Sequence, residues 1–485
     1  MIIIKYIKTI LIVSGIMLHQ GCHQDFLTQT PDHVISETLV LGYVDKLEDL
    51  LTGSYNEISS ASYLGRVLYK RAAVKGSDFR YVKTTYNPRS YELTEYKYEE
   101  SSNNNGSAQV LWEKCYSVIS NLNLILDYID DAEGDDARRR QIKGEALALR
   151  GMVYFDLART FTYPWIREGG SDLGLPINLT SKTIVTERSS LEATFDQIIS
   201  DFNVAETLLS ANSWSQGSTK YITPAGIHGL LARVYLYKQD WDNALKYCKR
   251  ILAERDESYL MNIDGYEFTD FTSESIFELY VTSENSSGSN GLGAQFDFRL
   301  GGQGDVIATQ TFIDLLNEYE GDPRAALLTE DKEGNTAAFV KYINRGEDAG
   351  LSNHNVSIIR LSEIFLIAAE ACAHGAGDGE DEARQFLNSI VSRRTTNFDA
   401  HRVEEGGDAL LSRIAKERRK ELALEGHGVY DYIRRGNDIL RPESDHVNTG
   451  INVNNLNISA TSPETIYPIP ASEIEASGMI QTEGY

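Results

Sequence analysis

The stretch from Thr223 to Leu252 constrains the fold more than any other part of this chain. Ala225, Gly229, Ala232 and Tyr235 fall on one face of a helix, Gln239-Asp240 makes a tight polar turn, and Trp241, Ala244 and Tyr247 open a second helix. Small residues where two helices cross, with an aromatic filling the gap, are what a closely packed helix–turn–helix repeat requires. A second such pair runs from Arg360 to Arg394. It contains Arg360-Leu-Ser-Glu363, Ala368-Ala-Glu-Ala371, a Gly/Asp-rich turn at 375–379, and Ala383 to Ile390.

More helices surround these pairs. Trp112 to Ile129 is amphipathic, with Val118, Leu122, Ile125 and Leu126 at helical spacing. Ala137 to Phe161 is long and Ala/Leu-rich, and Tyr163-Pro164 marks its end, because a residue before proline avoids the helical region. Together they make a candidate third pair. Leu191 to Leu209 is a further helix, capped by Ser189 or Ser190, with Glu192 in its first turn. The expected class is all-α: a tetratricopeptide-like helical repeat superhelix with degenerate units, long irregular loops and minor β structure. A repeat architecture carries a chain of 485 residues as one continuous body.

The segments between the pairs are irregular. Residues 79–107 are rich in Tyr and Asn, residues 281–306 in Ser, Asn and Gly, and residues 329–357 are polar with a short strand expected at Phe339 to Ile343. Loops this long are most often functional or disordered. Ser275 to Val281 alternates as a strand does. Leu410 to Glu425 reads as a charged helix stopped by Gly426, and acids alternate with bases in Lys416-Glu-Arg-Arg-Lys-Glu421, so the run reads as a salt-bridged helix with one packed face. Tyr430 to Arg435 starts another short helix. Asp322-Pro-Arg324 reads as a turn with an ion pair.

The N-terminus addresses the chain to a membrane surface. Lys5 and Lys8 precede an apolar run from Ile10 to Leu18 that ends at Gly21-Cys22, and no acid occurs before Asp25. This is the pattern of a secretory signal. A cysteine after the small residue suggests the bacterial lipoprotein form, in which residues 1–21 are removed and Cys22 carries the lipid. Leu18 lies four residues before Cys22, and His19 stands where such signals usually have an aliphatic or small residue. The net charge of −25 argues against nucleic acid and against an electrostatic grip on anionic lipid. Cys115, Cys248 and Cys372 sit inside helical patterns with no C-x-x-C pair and no metal spacing, so they read as small buried apolar residues. No sequence feature calls for a cofactor or metal. There is no H-E-x-x-H, G-x-S-x-G or phosphate-binding glycine loop, and no carboxylate pair is singled out for glycoside hydrolysis.

Taken in order, these features resemble the SusD/RagB family of lipid-anchored outer-membrane nutrient-binding proteins. Cys22-His-Gln-Asp-Phe-Leu27 with Pro31 is similar to the family's opening. Gly144-Glu-Ala146, Leu149-Arg150, Tyr154-Phe155-Asp156-Leu157 and Phe161 resemble its long helix. Ala232-Arg-Val-Tyr-Leu-Tyr237 with Asp240-Trp241 and Ala244 resembles the central pair, and Arg360-Leu-Ser-Glu363 with Ala369-Glu-Ala371 and Asn388 the third. Glu417-Arg-Arg419, Glu421-Leu-Ala423, Glu425-Gly426, Asp431 and Arg434-Arg435 resemble the C-terminal signature, and Tyr467-Pro-Ile-Pro470, Glu473-Ile474 and Gly484-Tyr485 the tail. Leu424 and Val429 replace residues that are commonly aromatic. The resemblance implies a SusD-type body over 22–485, its N-terminal part 22–220 and its C-terminal part 221–485, built on four helical pairs. It also implies a non-catalytic binder of an oligosaccharide, or in some branches a peptide, that serves a SusC-like TonB-dependent outer-membrane transporter. A protein-only scaffold and an α-helical glycoside hydrolase are the other classes considered.

Sugars are recognised by flat aromatic faces beside amides, carboxylates and Arg. Residues 78–98 offer the first such set: Asp78, Arg80, Tyr81, Tyr86, Asn87, Arg89, Tyr91, Tyr96 and Tyr98. Phe296 and Phe298, beside Asp297 and Arg299, are the second, and Trp214 is the third. Trp112, Trp165 and Trp241, on or at the ends of helices, read as packing residues.

Overall fold

The computed structural model describes residues 41–82, 90–104, 106–182, 187–209, 218–342, 353–446 and 448–485. Its longer helices are α1 (Val44–Ile58), α2 (Val67–Val74), α3 (Ser90–Tyr96), α4 (Gly106–Tyr128), α5 (Asp136–Phe161), α6 (Leu191–Leu208), α7 (Pro224–Tyr237) and α8 (Trp241–Leu252). They continue with α9 (Leu292–Phe296), α10 (Gln310–Leu316), α11 (Leu361–Ala373), α12 (Glu380–Val391), α13 (Gly407–Glu421), α14 (Gly428–Ile433) and α15 (Ala471–Ser477). Neighbours stack in series: α1 on α4, α4 on α5, α5 on α6, α6 on α7, α7 on α8, α8 on α11, and α11 on α12 and α13. This is the expected tetratricopeptide-like superhelix, and the α4/α5 pair is present. No described helix is long and apolar enough to cross a membrane.

Local chemistry sets the helix starts. Ser190 accepts from the Ala193 N–H, so Ser190 rather than Ser189 caps α6. Thr223 accepts from the Gly226 N–H with Pro224 in the first turn of α7, and Asp240 caps α8 through the Asn243 N–H. The tight turn between α7 and α8 puts Gln239 at φ 58°. Gly229 is small for a reason other than the helix crossing. A Cβ there would lie 2.6 Å from the Ile359 side chain, so α7 is pressed against a strand rather than only against α8.

Among the described residues the β structure is five two-stranded antiparallel ladders. The strands are β1 (Phe79–Tyr81), β2 (Leu173–Pro176), β3 (Arg188–Ser190), β4 (Ser275–Leu279), β5 (Val306–Ala308), β6 (Leu328–Glu330), β7 (Thr336–Phe339), β8 (Val356–Arg360), β9 (Ile439–Leu440) and β10 (Asn457–Ile458). β1 pairs with β5, β2 with β3, β4 with β8, β6 with β7, and β9 with β10. β4 is the strand expected at Ser275. The strand expected at Phe339 to Ile343 instead ends at Phe339, because the β6–β7 hairpin sets Leu328 opposite Phe339. Residues 79–107, expected to be loop, contain β1 and α3. Residues 281–306 contain α9 and two short 3-10 turns.

The charged run 416–421 is salt-bridged, but its packed face is made of its charges. Glu417, Arg418, Lys420 and Glu421 are buried, and α13 stops at Glu421, before the expected Glu425. Glu421 Oε2 accepts from Arg324 Nη1 at 2.9 Å and from Arg394 Nε at 2.9 Å, and its Oε1 accepts from Arg360 Nη1 at 2.8 Å. Arg324 also holds Asp322, the expected ion-paired turn, and Glu417. Nearby, Arg434 and Arg418 hold Asp431, and Arg434 makes two 2.7 Å bonds to Glu370. Burial raises the Glu370 pKa, but Arg434 and its neighbours outweigh it and bring the carboxyl to about 2. Cys115, Cys248 and Cys372 are buried and free, as their helical settings predict.

His446 gives the fold an acid-sensitive point. Its Nδ1 lies 2.7 Å from Tyr96 Oη, and burial, with Arg441 and Arg80, lowers its pKa to about 3. The folded protein holds this imidazole neutral, while the unfolded chain protonates it below ~6.5. Its contribution is therefore complete above pH ~6.5 and is lost as the pH falls from there towards 3. The loss is about 1.4 kcal/mol per unit, or on the order of 2 kcal/mol at pH 5. Urea midpoints at pH 7.5 and pH 5 should fall less in His446→Gln than in the unaltered protein. Equal falls would show that His446 is not responsible.

Candidate functional site

One cleft among the described cavities is large enough for a sugar. It holds about 460 Å³ and is lined by Thr52, Tyr55 and Asn56 of α1, Lys220 and Tyr221, and Leu279, Tyr280, Thr282, Glu284 and Asn285 at the end of β4. This is within the usual ~300–1,000 Å³ of ligand sites. Three other cavities hold about 20 Å³ each. That is room for a water but not for a sugar ring.

Two tyrosines stand partly exposed at the cleft: Tyr221 is 45% exposed and Tyr280 is 42% exposed. Each is held from behind. The Tyr221 ring meets the Tyr55 ring edge-on at 5.6 Å, and Phe271 stacks against Tyr280 at 6.0 Å. Phe271, at φ 54°, is fixed by its N–H donating to the Glu278 carboxylate. Glu278 also accepts from Asn355 Nδ2 at 2.8 Å, and burial raises its pKa. Lys220 Nζ lies 5.2 Å from the Tyr221 ring centre and 5.8 Å from that of Tyr280, so one cation faces both rings.

Amides close the rim. Asn285 Oδ1 accepts from the Thr282 N–H at 2.6 Å, and its Nδ2 donates to Asn56 Oδ1 at 2.8 Å. The Ala61 N–H donates to Ser287 Oγ at 3.1 Å. The Ser/Asn loop after β4 is thus tied to the end of α1. Glu284 is exposed on the rim. Fixed aromatic faces, amides, a carboxylate and an ammonium suit a polyhydroxylated ligand: ring faces cover its C–H side, and polar groups bond its hydroxyls.

Of the side chains named from sequence, the described ones lie elsewhere. Tyr81 is 2% exposed, with its ring edge-on to Tyr96 at 5.4 Å, and Phe296 is 2% exposed against Phe79. Neither has a ring face open to a ligand. Asp78 is buried and paired with Arg419. Arg80 is half-buried on β1, Phe298 is half-buried, and Asp297 pairs with Arg299. Tyr96 and Tyr98 are buried. Tyr86, Asn87, Arg89, Trp214 and Cys22 lie outside the described residues; Tyr91 is on α3, but its side chain is outside them too. Trp112 is buried, Trp165 packs against Phe195, and Trp241 stacks on His374 at 4.0 Å, as packing residues do. One of the polar loops singled out by composition borders the cleft: the loop after Val281 supplies Thr282, Glu284 and Asn285. The usable signal was a tyrosine at that loop's junction with a regular element.

Comparison with known proteins agrees with this architecture. A SusD-like family described as "starch-binding associating with outer membrane" matches residues 25–236. A solved SusD superfamily protein from Bacteroides thetaiotaomicron is 31% identical, with a TM-score of 0.81, covering 91% of this chain and 99% of that one. A SusD-like carbohydrate-binding protein from Bacteroides vulgatus is 24% identical, with a TM-score of 0.77, covering 90% and 97% of the two chains. The curated SusD-like protein P25 of Formosa agariphila is 22% identical over 480 residues, 85% of this chain and 87% of its own length. A helical-pair superhelix that matches a solved relative from end to end at this identity belongs to the SusD superfamily.

Proposed function

We propose that this protein binds an oligosaccharide in the cleft between α1, Tyr221 and Tyr280, without turning it over. The bound glycan is passed to a SusC-like TonB-dependent transporter in the outer membrane, and a lipid on Cys22 holds the protein beside it. The observation that carries the reading is the pair of exposed, buttressed tyrosines facing one roomy cleft. The starch-binding, outer-membrane description of the family supports it, as does the carbohydrate-binding relative. A short loop-rimmed cleft offers little buried area, so weak binding per site is expected.

Calorimetry tests this on the chain lacking residues 1–22, against malto-, laminari- and xylo-oligosaccharides and a set of peptides. Saturable binding of one sugar class with the sugar recovered intact is the expected result. Cleavage of the sugar, or saturation by peptides alone, would overturn the proposal.

A further inference from the structure

Glu145 lies on α5, well inside the stack, in a stretch that the family resemblance marks as part of the long helix. It is buried, yet it is bonded to the wall of the cleft. Tyr55 Oη donates to Glu145 Oε2 at 2.7 Å, and the same hydroxyl accepts from the Ile222 N–H at 3.1 Å. Gln141 Nε2 donates to the other carboxylate oxygen at 2.8 Å. Ile222 follows Tyr221, and the Tyr221 ring rests on the Tyr55 ring. The phenol therefore fixes Tyr221 twice, through the backbone beside it and through its ring edge. Without Glu145, the Tyr55 hydroxyl loses the acceptor for its proton and one of the two hydrogen bonds that orient it.

We infer that Glu145 is a positioning residue for the cleft, setting Tyr221 through Tyr55 without touching the ligand. The inference rests on the cleft being the binding site. The buried carboxylate has no other aromatic or cationic hydrogen-bond partner among the described residues, apart from Tyr55 and Gln141. A group retained only for packing would need no acceptor at that position, because an apolar side chain would fill it without a desolvated charge. The link ties α5, which does not line the cleft, to α1 and to the Lys220–Ile222 segment, which do.

Amide hydrogen exchange of Glu145→Ala, Glu145→Gln and Tyr55→Phe, with no ligand present, reads the positioning directly. The peptide covering Lys220–Ile222 should exchange about tenfold faster in Glu145→Ala and in Tyr55→Phe. In Glu145→Gln, which keeps an acceptor for the phenol, its exchange should be restored to that of the unaltered protein. Unchanged exchange there in Glu145→Ala, or a uniform rise over the whole of α5 and α4, would overturn the inference. Titration with maltoheptaose adds the functional arm. Glu145→Ala should weaken binding several-fold in the unaltered background and not at all in Tyr221→Ala, whereas equal effects in both would overturn it. Failure of maltoheptaose and the other sugars to bind the unaltered protein would overturn the glycan reading instead, and leave the exchange result to judge Glu145.

Discussion

Replacing Glu421 with alanine is expected to cost about 3–5 kcal/mol of stability, the largest loss from any single truncation considered. Three guanidiniums, those of Arg324, Arg360 and Arg394, converge on this one carboxylate, and Arg324, Arg394 and Glu421 have no exposed side-chain surface. Burial alone would raise the Glu421 pKa. The three cations outweigh burial and hold it well below the ordinary carboxylate value. Removing the carboxylate leaves the cations buried beside one another, with Asp322, Glu417, Glu274 and Glu425 as their remaining partners. The cost is high because a buried charge loses its partner, not because an ion pair is intrinsically worth so much. Urea unfolding followed by far-ultraviolet circular dichroism at pH 7 measures it. Arg402→Ala, which breaks an exposed pair with Asp399, should change stability by no more than ~0.5–1 kcal/mol. A loss below about 1 kcal/mol in Glu421→Ala would mean that water or rearrangement satisfies the three arginines.

The same charges show what the sequence could and could not disclose. Helix content, the α7/α8 and α11/α12 pairs and the β4 strand follow from periodicity, capping and turn residues, which act over a few neighbouring positions. The run from Lys416 to Glu421 reads by the same local rules as a salt-bridged helix with one packed face, and nothing local says that the charges are that face. Its burial depends on partners far along the chain: Arg324 lies 97 residues from Glu421, and Arg360 lies 61. No local pattern contains that pairing. The cleft is illegible for the same reason. Tyr55, Tyr221 and Tyr280 come from three distant segments, and each alone resembles the other tyrosines of the chain. Tyr81 and Phe296 stand in equally polar stretches but point into the core, because β1 pairs with β5 and α9 packs against α2 and β5. Loop composition points to the segment after Val281, and tertiary packing decides which rings stay exposed there.

That decision gives the largest functional effect. Tyr280→Ala should weaken oligosaccharide binding by about 2 kcal/mol, roughly 30-fold, the scale of an aromatic anchor in a desolvated site. Tyr280 is already half in solvent and stands at the end of β4, so its truncation leaves no core cavity, and the helical dichroism should be unchanged. Tyr221→Ala removes the second face and also releases the Tyr55 edge. The double variant should show no saturable binding to a sugar that the unaltered protein takes up. Tyr86→Ala with Tyr91→Ala provides the opposing test, since these two are tyrosines of the 78–98 set whose side chains lie outside the described residues. Loss of binding in that pair, with full binding retained by Tyr221→Ala/Tyr280→Ala, would move the site to the 78–98 region. Loss in the cleft variant alone fits the physical ordering: a ring contributes to sugar binding when it is exposed and held in place. Tyr221, edge-on to Tyr55, and Tyr280, stacked on Phe271, meet both conditions, whereas Tyr81 is held but buried.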